Sequence, residues 1–260
     1  MVGDHRRLHD SIRHHAAAGL TLWNNRPMST ARSRLQNRAR PADTEQNARE
    51  ALIAALARLE GLGPAGNVQA SIACRWQRSG GDGLLITSMG AGHGAADSAV
   101  SWIPKGTQDR LTPAEMLPEA SAGPGEPGIY ALHGAAQALD PTTPCTLLLA
   151  SRHAGALSCL RSIIAGGIPA FHATLTRFGG DHVDCVTDPA LSKPLGPSNL
   201  LVPGVSLADA LNGRNVCLIA RYGMLVRAAN ADTAIDLAMA FEAISAMFCT
   251  VLAINDARAD

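Results

Sequence analysis

The stretch NADTAIDLAMAFEAISAMFCTVLAI, residues 230–254, constrains this chain most. It predicts one long helix with Asp232 near its cap and apolar residues around most of its circumference, among them Ile235, Leu237, Phe241, Ile244 and Phe248. A helix that is apolar all round has to be covered, by its own domain or by neighbouring copies. The rest of the chain must therefore build a core able to receive it. With 260 residues, 47% of them hydrophobic, it can do so in one domain plus a tail. No run of about 18 uninterrupted apolar residues occurs, so no membrane span is expected.

Charge separates the tail from the body. Residues 1–40 hold eight arginines against Asp4 and Asp10, while the whole chain is formally neutral. The body is thus mildly acidic, which argues against a nucleic-acid face built from clustered Lys and Arg. Residues 1–40 read as a flexible arginine-rich tail, or as the product of a start placed upstream of Met28. The body at 41–258 reads as one domain. Six cysteines are scattered singly without CxxC spacing. They suggest buried free thiols in a reducing, cytoplasmic setting and no zinc knuckle.

Along the body, strand and helix patterns interleave, which makes the fold class α/β. Thr44 begins a helical pattern that Gly61 and Gly63 stop. Strands are expected in 67–76 and after the turn at 81, a loop through 103–128, and a helix over 128–139. A short apolar strand at 144–153 leads into a helix at 154–167. Strand-like runs surround Gly179-Gly180, a short helix starts at Ser206, and two strands meet about Gly223. Tyr222 stands directly before that glycine, at a strand end where α/β sheets commonly carry functional side chains.

Four ordered segments carry a resemblance. They are LGPAGNVQASIACRW…GLLITSMG, ALHGAA, LLLASRHAGALSCL…IPAFHATLTRFGGDHVDC and NVCLIARYGMLVRAANADTAIDLAMAFE. Together, over about residues 45–254, they resemble the class II aldolase/adducin family, and most of all its bacterial aldolase subgroup near the adducin heads. The resemblance implies a central, mainly antiparallel β-sheet flanked by helices in three α/β/α layers. It also implies a homotetramer with sites between subunits. In the enzymes, zinc is held by two histidines of a His-x-His-Ser strand end and a third in His-Gly, and a glutamate moves protons.

On this chain, the register set by AGALSCL places Leu148 and Ala150 at the paired histidines, with Ser151 retained. Tyr222 falls at the third histidine, before the retained Gly223. Ile129 falls at the glutamate, with Glu126 three residues away. The resemblance thus implies zinc as the family cofactor and, at the same time, predicts no metal site here. Gly66, Asn67 and Gly90 match phosphate-binding positions, whereas Met89 and Pro127-Gly128 replace hydroxyl residues.

Other groups of the right type are His153, His172, His182, Asp181 and Cys185 as replacement metal ligands. Ser151, His153 and Asp181 could form a relay. His153 and Tyr222 are the catalytic candidates, with His133 behind them. Gly66, Asn67, Gly90 and Ser151 are the ligand-binding candidates. Lys105 and Lys193 sit in Pro/Gly-rich sequence unsuited to a Schiff base. The expected function is a class II aldolase-like domain that has lost zinc-dependent aldol cleavage and serves as an oligomeric binding or scaffold domain. The alternative is a carbon–carbon lyase or decarboxylase with a divergent site, acting on a small hydroxy-carbonyl or sugar phosphate. Partners are itself and a small-molecule ligand, with neither nucleic acid nor membrane.

Overall fold

The computed structural model describes residues 44–63, 69–88, 99–106, 126–187 and 205–256. The tail at 1–40 and the candidates Gly66, Asn67, Gly90 and Lys193 lie outside them. Thr44 opens α1 (Glu45–Ala57), its Oγ1 accepting the Asn47 amide at 3.2 Å. Strands β1 (Gln69–Arg78), β2 (Gly81–Thr87) and β3 (Val100–Pro104) form an antiparallel meander. Helix α2 (Glu126–Ala138) then leads to β4 (Cys145–Ala150), which runs into α3 (Arg152–Leu157) and α4 (Arg161–Gly166). A 3₁₀ segment (Ala173–Phe178), β5 (Cys185–Val186) and α5 (Leu207–Ala210) follow. The hairpin β6 (Val216–Ile219) and β7 (Gly223–Ala228) precedes the closing helix α6 (Ala231–Asp256).

The seven strands lie in the order β3-β2-β1-β4-β7-β6-β5, all pairings antiparallel except β5 with β6. Alternation along β4 sorts the core. Leu147 and Leu149 face a cluster that includes residues of α1, α3, α4 and α6, and Leu148 faces one formed with α2 and α5. The result is a mixed sheet between two helical layers. Helix α6 is long and apolar enough to cross a membrane by length and composition. Here Ala234, Ile235, Ala238 and Phe241 are buried in the first cluster.

Several expectations change. The helix expected over 154–167 is two, because the Ser158 carbonyl leaves the ladder to accept the Arg221 amide at 2.8 Å. Of the strand-like runs around Gly179-Gly180, Ile168 and Val183 pair in one antiparallel bridge and Cys185–Val186 forms β5, while the stretch between coils into the 3₁₀ segment. Gly179 has φ of 96°, and a Cβ there would lie 2.2 Å from the Gly213 carbonyl oxygen. The loop expected from 103 begins two residues late, after β3. Asp232 lies in the first turn of α6 as expected, and the cap itself is Asn230, whose Oδ1 accepts the Thr233 amide at 2.8 Å. The reading of six free thiols fails as well. Cys74 and Cys145 form a disulfide, their positions directly opposite in the β1–β4 register although 71 residues apart in sequence.

Candidate functional site

The end of β4, the start of α3 and the β6–β7 turn carry three of the candidates, Ser151, His153 and Tyr222. The turn comprises residues 220–222, with Arg221 in the left-handed region at φ 62° and the Tyr222 amide bonded to the Ile219 carbonyl at 3.0 Å. Gly223 then begins β7 against β4. A Cβ on it would lie 2.2 Å from the Leu149 carbonyl oxygen and 3.0 Å from Ala150 Cα. Glycine is needed there so that the two backbones can approach. That close approach fixes Tyr222 beside the end of β4.

Tyr222 packs, partly buried, against a cluster that holds both Leu148 and Ile129. Burial in this apolar setting raises its phenol above the usual tyrosine value. Ala150, half-buried, ends β4. The four positions that the resemblance assigns to three ligands and a carboxylate thus hold two aliphatic side chains, a methyl group and a phenol that resists ionisation. These residues do not fit a zinc ion, because only one of them has a donor atom.

Ser151 and His153 are joined by a residue that sequence reasoning passed over, Glu242 of α6. Its carboxylate, 6% exposed, accepts from Ser151 Oγ at 2.5 Å and from Ala154 N at 3.1 Å. It also accepts from His153 N at 2.8 Å and His153 Nδ1 at 2.9 Å. Four donors thus converge on one carboxylate and close the first turn of α3. Its signal was present: Glu242 is the only charged residue between Leu237 and Ile254. His153, with Nδ1 held by the carboxylate, keeps its side chain 37% exposed.

The Ser151–His153–Asp181 relay does not form. Asp181 lies 3.0 Å from His182 Nδ1, and His153 has Glu242. His172 caps the 3₁₀ segment by accepting the Thr174 amide. His182 also meets Arg214 and Asp184, and Cys185 is buried with its thiol pushed up to about 12. Among the described residues, no three His, Cys, Asp or Glu side chains gather as a metal site. Lys105 is exposed, so nothing desolvates its amine.

His133 is fully buried on α2. Its Nδ1 lies 2.7 Å from Thr146 Oγ1, and desolvation lowers it to about 3. Gln137 joins it, donating from Nε2 to the Ala73 carbonyl at 2.9 Å and to Thr146 Oγ1 at 3.1 Å. This polar knot sits inside the sheet–α2 layer and away from water.

Compared by sequence with curated proteins, the chain finds no match. Among solved structures it is similar to YgbL from Klebsiella pneumoniae, a proposed aldolase/epimerase/decarboxylase, at 18% identity and a TM-score of 0.56, covering 80% of this chain and 91% of that one. It is similar to an L-fuculose 1-phosphate aldolase at 15% identity and a TM-score of 0.56, covering 81% and 89%. A sugar-phosphate aldolase from Thermotoga maritima gives 14% identity and a TM-score of 0.54, covering 80% and 95%. At these identities the likeness is one of fold. The model of the class II aldolase and adducin N-terminal domain matches residues 50–249, most of the chain, and the protein belongs to that family.

Proposed function

We propose that this family member has lost zinc-dependent aldol cleavage and serves as an oligomeric binding or scaffold domain. The observation that carries the reading is the apolar cluster uniting Leu148, Ile129 and Tyr222. An enediolate left without a Lewis acid depends on hydrogen bonds alone, and losing even one preorganised donor typically costs about 10²–10³ in rate. Metal analysis of the purified protein should find zinc at background, and an assay with fuculose 1-phosphate should find no cleavage. Tyr222→His alone should not change this, whereas Leu148→His, Ala150→His and Tyr222→His together should restore metal binding. Stoichiometric zinc in the unmodified protein, lost on Tyr222→Phe, would overturn the reading.

The exposed Met239, Met247 and Ile254 on the outer side of α6 support self-association, with four chains as the proposed state; a monomer by light scattering would remove it. Residues 1–40 are proposed as a dispensable tail before a domain at 41–258, so their deletion should leave the melting temperature within a few degrees. Gly66, Asn67 and Gly90 remain proposed ligand contacts, whereas Ser151 is committed to Glu242. A cytoplasmic location belongs to the same proposal, and the Cys74–Cys145 bond weighs against it. Thiol labelling in freshly lysed cells decides.

One observation favours the second reading, a lyase or decarboxylase with a divergent site. Glu242 orients a half-exposed imidazole on His153, whose Nε2 can take a proton from a substrate hydroxyl. A small hydroxy-carbonyl turned over by the protein but not by His153→Ala would replace the scaffold reading with this one.

A further inference from the structure

At the opposite end of β4 and β7 lies a second place where charge is buried. Arg227 is four residues along β7 from Gly223, about 13 Å at the usual strand rise. It is only 5% exposed. An arginine this buried is ordinarily paired with a carboxylate. Here Nη2 donates to two neutral acceptors, the carbonyls of Leu211 and Arg214, each at 2.7 Å. Its Nε is buried without a partner, and among the described residues no carboxylate is within ion-pair distance of the guanidinium.

Arg227 lines a cleft of about 590 Å³, within the range of small-molecule pockets. Asp140, Asp209, Asn212 and Asn215 are among its lining residues, and Asp209 Oδ2 accepts from Ser206 Oγ at 2.6 Å. Asp140 and Arg227 act on each other through space, yet they do not touch. Both residues line the same cleft. A structural role for Arg227 in tying down the turn after α5 accounts for Nη2 and leaves Nε without a partner.

We propose that this cleft binds a small zwitterion, an α-amino acid, with its carboxylate on Arg227 and its ammonium group toward Asp140 and Asp209. The charge pattern selects that chemistry. A planar guanidinium fork matches a carboxylate. One cation against two carboxylates disfavours a simple anion or a phosphate, while a ligand carrying both signs satisfies the floor and the walls together.

The test uses the full chain. Thermal shift with each of the twenty standard amino acids at millimolar concentration should find at least one that raises the melting temperature, and calorimetry should give it a submillimolar Kd. The matching 2-hydroxy acid, which lacks the ammonium group, and the matching amine, which lacks the carboxylate, should each bind about 10–100-fold weaker. Arg227→Met should abolish binding. Asp140→Asn, a rim change that keeps the acceptor used by Thr142, should weaken the amino acid about tenfold and leave the hydroxy acid unharmed. If Arg227→Met does not fold, the analogue series and Asp140→Asn still decide. No shift with any amino acid, a hydroxy acid that binds equally well, or an Asp140→Asn variant with unchanged affinity would each overturn the proposal.

Discussion

Glu242 on α6 and Arg227 on β7 are both charged and both nearly sealed from water. Their surroundings differ. Glu242 has four donors on two oxygens, from a hydroxyl, an imidazole and two backbone amides. Arg227 has two carbonyls on one nitrogen and nothing on Nε. A saturated buried charge fixes architecture, whereas an unsaturated one keeps capacity for something from outside. The family resemblance drew attention to the first region, and the second holds the greater unused binding capacity.

The largest expected effect comes from removing the saturated charge. Glu242→Leu strands the Ser151 hydroxyl and the His153 and Ala154 amides in a dry site, and should cost about 4 kcal/mol in urea unfolding. A loss under about 1 kcal/mol would show that water replaces the carboxylate there and would break the contrast.

An intermediate effect is expected from pH, read at the polar layer beside Arg227, where Thr146 stands opposite it in register. His133 titrates near 3 in the fold against an ordinary 6.5, so the unfolded chain binds its proton first. Its contribution is fully present above about pH 6.5 and is lost progressively as pH falls toward 3. Between pH 7 and pH 5 the loss should be about 2 kcal/mol, and His133→Gln should remove that slope. A slope that persists in the variant would place the acid sensitivity elsewhere.

The smallest effect is expected at the unsaturated charge. Arg227→Met frees two carbonyls but also relieves a costly desolvation, so the net should be about 1 kcal/mol. A cost as large as that of Glu242→Leu would make Arg227 structural and erase the difference between the two regions.

Local patterns made much of the fold legible. The Thr44 cap, the apolar run of β4 and the length of α6 all rest on neighbours in sequence. What escaped depends on partners far along the chain. The break at Ser158 is set by Arg221, the disulfide by the β1–β4 register, and the role of Ser151 by Glu242. The family register was enough to bring Leu148, Ile129 and Tyr222 into one place, and they do share a cluster. The acid partner of His153 was not legible, because Asp181 and Glu242 differ only in where the chain folds them. Arg227 was missed because an arginine ending an apolar strand gives no sign of what it will lack.

The strand order has a consequence for how the chain is made. On a ribosome, β1, β2 and β3 emerge together and can pair as they appear. The inner edge of β1, carrying Ala70 and Ile72, must then wait for β4, and β4 for β7: Cys145 meets Cys74 from 71 residues earlier and Ala228 from far later. During synthesis the middle of the finished sheet is thus an open strand edge, of the kind that recruits foreign chains. Helix α6, which follows β7 out of the tunnel, then lays Phe241 and Ile235 over the assembled sheet. Slow emergence of β7 would therefore prolong the exposure of that edge.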